Sequence, residues 1–433
     1  MASHELIPSR NCRHVDWRAM RDAGLDSCWS CGMTFRTTAS SAANAYAAYK
    51  ATIPSWKTSF DGADTLTGFT RFSYLPLNPD QGREIRVLTL HAGVFDEPLS
   101  CNLETVNLQL GPVYEAVSYT WADSTGDDEL AARISATMST TTASEEGDIT
   151  ITRNCEAMLR RLRRANVTRR LWVDAICIDQ ANLDERSAQV RNMTAVFRNA
   201  QRVVVYLGEG DSVTNRLLDY ASEDHGEHVL PSPLDFLPLY QCRWFHRVWV
   251  LQEIAVAKTA IVISGTRTLE WTDLVNQARV FLRLVNKWQN QRIPLPPVLA
   301  YGFRSGEMGN KIADKSLDLL SIMQISRGCS CKDARDKVYA VAGLVSEDAR
   351  VPLPADYSPD VTPERVYTQL AAWHVLKTSS PRILRFVEGP SSVPVMPVMS
   401  SWVPDWTTPS PGSSLPPQLP VNGVFIPPQI VVP

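Results

Sequence analysis

Between residues 113 and 208 the chain alternates strand patterns with helix patterns, and this alternation limits the possible folds more than any other feature. Val113-Tyr114-Glu115-Ala116-Val117-Ser118-Tyr119 reads as a strand. Cys155, Met158, Leu159 and Leu162 then recur at helical spacing, the run around Trp172 is apolar, and Val190, Met193 and Phe197 mark a second helix. Arg202-Val203-Val204-Val205-Tyr206-Leu207-Gly208 closes the series as a buried strand. Strand, helix, strand, helix, strand implies an α/β unit built on a parallel sheet. Ligands of such sheets bind at the carboxyl ends of the strands. Here those ends carry Ser118-Tyr119-Thr120-Trp121-Ala122-Asp123 and Cys177-Ile178-Asp179-Gln180.

The run Arg170-Leu171-Trp172-Val173-Asp174-Ala175-Ile176-Cys177-Ile178-Asp179-Gln180 puts acids, a thiol and an amide into a stretch expected to be a strand. Central parallel strands are nearly continuous Val, Ile and Leu, and buried polar groups are costly without partners. Two readings of Asp174, Cys177, Asp179 and Gln180 stand side by side. Either a strand opens here into a site, or Asp179 caps the next helix and Asp174 is a core acid satisfied by backbone donors. The polar, acidic residues Ser124 to Asp148 suit an exposed loop.

Downstream, Arg243-Trp244-Phe245-His246-Arg247-Val248-Trp249-Val250-Leu251-Gln252-Glu253-Ile254 sets three aromatics around a helix with one carboxylate. Held in a partly apolar site, Glu253 would have a raised pKa, in a range useful for proton transfer. A short strand at Ala260 to Gly265 is expected next, then helices near Thr272 to Trp288, Ser316 to Ser326 and Asp333 to Leu344. Many of the chain's 29 prolines fall after Pro390, where Trp402-Val403-Pro404-Asp405-Trp406 stands out and no regular domain is expected beyond it.

With 433 residues, 44% hydrophobic, 21% charged and a formal net charge of −3, the composition is that of an ordinary globular chain. No polyanionic partner is implied, and Arg160-Arg161 and Arg163-Arg164 read as the solvated face of a helix. The first residues lack a signal-peptide pattern, no apolar run reaches bilayer length, and nine scattered cysteines form no disulfide framework. A cytoplasmic protein is expected. Within the first 75 residues, Cys28-Trp29-Ser30-Cys31-Gly32 has the form of a zinc knuckle, with Cys12 and His14 as candidate remaining ligands for Zn2+; free cysteines are the alternative.

Taken together, these blocks resemble the fungal heterokaryon-incompatibility (HET) domain. The resemblance rests on Tyr114 to Trp121, Leu171 to Gln180, Glu185-Arg186 with Gln189-Val190 and Met193, and Leu207-Gly208. Trp244-Phe245-x-Arg247-Val248-Trp249-Val250-Leu251-Gln252-Glu253, Asp333-x-x-Asp336-Lys337-Val338-Tyr339 and Trp402 to Trp406 continue it in order. Two departures stand out: Trp121-Ala122 where the family has Trp-Gly, and Asp179 where it has Asn, which removes an amide donor.

The resemblance implies an effector of vegetative incompatibility that triggers cell death on non-self recognition. HET domains are also similar to Toll/interleukin-receptor (TIR) domains, some of which cleave NAD+ with a helical glutamate. That implies a TIR/flavodoxin-like parallel sheet flanked by helices over residues 85–265; composition and spacing divide the rest into a small Cys-containing unit over 1–75, a helical extension over 266–389 and a Pro-rich tail over 390–433. On this basis Glu253 is the candidate catalytic residue. Ser118, Trp121, Asp123, Asp174, Cys177, Asp179, Gln180, Arg247 and Trp249 are candidates for contact with NAD+. No Gly-rich dinucleotide fingerprint accompanies them. The competing reading is a non-catalytic module that self-associates or recruits other incompatibility proteins.

Overall fold

The computed structural model describes residues 17–20, 25–28, 34–36, 70–78, 83–139, 143–222, 237–288, 296–300, 318–345, 351–378, 380–387 and 399–407. Near the start, β1 (Trp17–Met20), β2 (Leu25–Cys28) and β3 (Thr34–Arg36) form a small antiparallel sheet in that order. Cys12, His14 and Cys31 lie outside the described residues and Cys28 is placed only as backbone, so the expected Zn2+ site lies outside them as well.

Nine strands make the main sheet. They are β4 (Glu84–Leu90), β5 (Ser100–Asn107), β6 (Glu115–Ser118), β7 (Ala132–Ser139), β8 (Ser144–Ile151), β9 (Arg169–Trp172), β10 (Val203–Tyr206), β11 (Ala260–Ser264) and β12 (Arg267–Glu270). Their spatial order is β12-β11-β10-β6-β9-β4-β5-β7-β8. At its centre β9, β6, β10 and β11 run parallel, with Ala116 beside Trp172, and Val205 between Ser118 on one side and Val262 on the other. β10 and β11 are almost continuously apolar because a strand covered on both faces has no solvent side to mark, whereas β6 and β9 also carry Glu115, Ser118, Arg169 and Arg170. This is the alternating unit expected from the sequence.

The sheet as a whole is mixed rather than parallel. β4 pairs antiparallel with both β9 and β5, and β7 and β8 form a hairpin at the edge beyond β5. The segment expected to be an exposed loop thus holds two strands. Ile134, Ala136 and Met138 alternate inward along β7, while the Ser, Thr and Glu residues that gave the segment its polar look fall on outward positions.

Two helices connect the parallel strands: α1 (Arg153–Leu162) from β8 to β9, and α3 (Leu183–Asn199) toward β10. Between them, α2 (Asp174–Cys177) is a single turn. The strand around Trp172 therefore stops at Trp172, and the polar residues after it are helical turn and loop. Thr152 caps α1 by accepting from the Cys155 amide, and Asn182 caps α3 by accepting from the Glu185 amide at 3.1 Å. Cys155, Met158, Leu159 and Leu162 are buried, as their spacing predicts.

After β10 come α4 (Ser212–Ser222), α5 (Leu237–Tyr240), a 3-10 turn at Arg243–His246 and α6 (Trp249–Ala255). The C-terminal part supplies α7 (Trp271–Trp288), α8 (Pro297–Ala300), α9 (Leu319–Ser326), α10 (Asp336–Ala342) and α11 (Pro363–Thr378). No described helix is long and apolar enough to cross a membrane. The Trp402 to Trp406 motif enters the core through Val403 and Trp406, while Trp402 is exposed: Trp406 is 1% exposed, and Arg327 lies over its ring while donating to the Asp405 carbonyl at 2.8 Å.

Candidate functional site at the carboxyl end of the parallel strands

Among the central parallel strands β6 is followed in the chain by β9 on one side of it and then by β10 on the other, so the winding reverses at β6. The crevice outside the carboxyl ends at such a reversal is where open α/β sheets hold ligands. Ser118, the last residue of β6, stands there and is almost fully buried. The Trp244 indole donates to its Oγ at 2.7 Å, and the Ser118 hydroxyl in turn donates to Glu253 Oε2. Glu253 comes from α6, a short helix whose residues from Val250 to Ala255 are all buried.

Arg247 sits where the 3-10 turn leads into α6. Its guanidinium is 3.9 Å from Glu253 Oε1 and donates to the Tyr119 carbonyl, so one cation ties the Glu253 helix to the chain leaving β6. Glu253 is 3% exposed, and that burial pushes its carboxyl above the usual range. Arg247 and the Ser118 hydrogen bond pull it back, while Asp174 pushes it further up. Asp174 lies at the carboxyl end of β9 and is only half-buried. Trp121 Nε1 donates to its Oδ2 at 2.9 Å and the Ala175 amide to its Oδ1 at 2.8 Å, while the Gln180 amide group holds its carbonyl at 2.9 Å. Burial raises the Asp174 carboxyl, and Arg247 and Trp121 oppose the rise.

The fold therefore gathers Ser118, Trp121, Asp174, Gln180, Arg247 and Glu253. The remaining candidates have other partners. Asp123 closes its own loop, accepting from the Thr125 amide at 2.7 Å, the Thr125 hydroxyl at 2.6 Å and the Asp127 amide at 3.1 Å. Asp179 accepts from the Ala181 amide at 3.1 Å. Cys177 is buried, its sulfur 3.4 Å from the Val173 amide and its thiol pushed up to about 12 by burial, which leaves almost no thiolate at neutral pH. Trp249 opens α6 and points its indole nitrogen at Asp336 Oδ2, 3.2 Å away. Among the described residues no cluster of three or more His, Cys, Asp or Glu side chains is placed to hold a metal.

Sequence reasoning missed what holds this site in place. On β4, Arg86 is wholly buried and makes a two-pronged ion pair with Glu185 of α3, at 2.5 and 2.9 Å. The same guanidinium donates to the Cys177 carbonyl at 3.2 Å and the Leu75 carbonyl at 2.7 Å, and Glu185 also accepts from the Asp179 amide at 2.8 Å. The signal was present: an arginine in Ile85-Arg86-Val87-Leu88, a strand with no exposed face.

A second support lies behind α6. The Ser330 carbonyl accepts from the Val248 amide at 3.0 Å, and the Ser330 amide donates to the His246 carbonyl at 2.5 Å. Asp336 receives the Trp249 indole and the Tyr357 hydroxyl, the latter at 2.6 Å. Gly343 packs so closely that a Cβ there would lie 2.0 Å from Thr194 Oγ1 and 3.0 Å from Gln252 Oε1.

Burial raises the Asp336 carboxyl from the ordinary 3.8 to about 6. The folded chain thus holds this proton more tightly than the unfolded chain, so the group costs stability as pH rises between those values, by up to about 3 kcal/mol. Replacing Asp336 by Asn is expected to remove that fall. Urea titrations at pH about 4 and about 7 should show the variant gaining on the wild type by about 2 to 3 kcal/mol across the window. A wild-type to variant difference that stays constant with pH would contradict it.

Residues 114–253 match the family model described as "Heterokaryon incompatibility protein (HET)". The chain is also 26% identical, over 79% of its own length, to "Heterokaryon incompatibility protein 6, OR allele" of Neurospora crassa, and spans 61% of that relative. No solved structure matches it. The family match begins at Tyr114, the first residue of the Ser118 strand block, and ends on Glu253.

Proposed function

Because residues 114–253 carry a heterokaryon-incompatibility (HET) domain, we propose that this chain is an effector of fungal heterokaryon incompatibility that kills the fused cell by cleaving NAD+ in the cytoplasm. The observation that carries the chemistry is Glu253. It is a carboxylate brought to the carboxyl end of the central strand at the reversal of winding, with a hydroxyl and a guanidinium beside it.

The order β9-β6-β10-β11, which is 2-1-3-4 in chain order, agrees with a flavodoxin-like and hence TIR-like sheet. Breaking the nicotinamide–ribose bond builds positive charge on the sugar, and a fixed carboxylate stabilises it. Arg247 is suited to the pyrophosphate and Trp121 to stacking on a ring. Residues 85–265 form the effector core in this reading, and the helical extension from 266 onward supports it.

A specific observation favours a second reading. At 3% exposure, with Ser118 and Arg247 as partners, Glu253 also has the marks of a structural anchor, as a self-associating or partner-recruiting module would need. Inducing the wild-type chain and Glu253→Gln in one host separates the two. At equal folded protein, the enzyme reading expects NAD+ loss and death with the first, and NAD+ loss slowed by at least about 100-fold with the second. Undiminished killing by Glu253→Gln without loss of NAD+ would leave the module.

A further inference from the structure

Two carboxylates reach the same end of the sheet, Asp174 from the turn after β9 and Glu253 from α6, and their surroundings differ. Glu253 is sealed in, with a hydroxyl donating to it. Asp174 stands just past the end of β9, next to β6, and is half-buried. Arg247 acts on both: it pairs with Glu253 and lowers the Asp174 carboxyl as well.

Asp174 is also oriented. Trp121 and the Ala175 amide each hold one of its oxygens, and Gln180 holds its backbone. None of this is needed to end β9, since the helical turn that follows closes through Val173 and Asp174 carbonyls whatever the side chain does.

We propose that Asp174 is the general base of this site, taking the proton from the water that attacks the ribosyl carbon. The proposal rests on the NAD+-cleaving reading of Glu253. Glycosidic bonds are hydrolysed by pairs of carboxylates whose different surroundings give them different roles. The bond between ribosyl C1′ and the nicotinamide nitrogen breaks, and its electron pair leaves with neutral nicotinamide. Glu253 offsets the positive charge left on the sugar. Water then adds to C1′, its proton passes to the Asp174 carboxylate, and Asp174 releases that proton to solvent. NAD+ and water thus give ADP-ribose, nicotinamide and one proton. Burial, which raises the Asp174 carboxyl, makes it a better base than a surface aspartate.

The test is rescue by a nucleophile that needs no base. Purified full-length wild type, Asp174→Asn, Asp174→Glu and Glu253→Gln are assayed for NAD+ consumption with and without sodium azide, with thermal melting to confirm folding. Asp174→Asn should lose about 100-fold or more in hydrolysis and regain NAD+ consumption with azide, yielding the 1′-azido sugar; Glu253→Gln should not be rescued. Folded Asp174→Asn that hydrolyses at the wild-type rate, or stays inactive with azide, overturns the proposal. If Asp174→Asn does not fold, Asp174→Glu decides: hydrolysis by it that azide leaves unchanged supports the base, and folded inactivity relieved by neither water nor azide overturns it. A wild type that consumes no NAD+ under any condition defeats the parent reading, and this proposal with it, whereas active wild type with indifferent Asp174→Asn defeats this proposal alone.

Discussion

Glu185→Ala should cost about 3 to 5 kcal/mol of stability, because it leaves Arg86 charged, unpaired and out of reach of water. Arg86 has no exposed side-chain surface and Glu185 only 9%. The Arg86 guanidinium would keep its bonds to the Cys177 and Leu75 carbonyls, but two carbonyl dipoles do not neutralise a cation in a low-dielectric interior. The Asp179 amide would lose its acceptor as well, so the loop leaving α2 loosens where it faces the crevice.

Replacing both partners, as Arg86→Met with Glu185→Leu, should recover most of the loss, since neither charge then remains to be solvated. Chemical denaturation of the wild type, the single variant and the double variant measures all three. A single-variant loss under about 1 kcal/mol would mean that water reaches Arg86, and the closed interior described above would be wrong.

Trp406→Ala carries the second large expected effect, again about 3 to 5 kcal/mol, from lost burial plus the cavity left behind. The ring is 1% exposed, lies 5.5 Å from Phe386 between centroids, and has Arg327 stacked at 5.2 Å. Arg327 also donates to the Phe386 carbonyl at 3.0 Å, and Lys337 donates to the Arg327 carbonyl at 2.8 Å, so removing the ring disturbs the joint between α9 and α10. Urea denaturation checks it. A loss within about 0.5 kcal/mol, the usual range for a surface residue, would show that the segment lies on the surface as an accessory strap.

The parts of this architecture that could be read from the sequence are those whose evidence is local. The β6, α1, β9, α3 and β10 series shows in side-chain spacing, and the placement of Ser118 and Gln180 at one edge follows from the rule for parallel strands. Glu253 stood out as a single acid in an aromatic helix. The β7–β8 hairpin was hidden because its outward Ser, Thr and Glu residues outweigh a modest inward alternation of Ile134, Ala136 and Met138. Asp174 to Cys177 misled in the opposite way, since a single helical turn is too short to show a period. What sequence reasoning could not supply is pairing over distance. Arg86 and Glu185 are 99 residues apart and Trp249 and Asp336 are 87 apart, and neither separation leaves a local trace.

The Trp249–Asp336 contact also bears on the order in which the protein is made. Synthesis delivers Glu253 with its helix well before Ser330, Asp336 and Tyr357, the residues that back it, and Trp406 follows later still. A nascent chain that has emerged only as far as α6 has Ser118, Arg247 and Glu253 but not the Ser330, Asp336 and Tyr357 contacts that back the helix. The crevice takes its shape only when translation has run past the last of these supports, so an interrupted or prematurely terminated product is born without it.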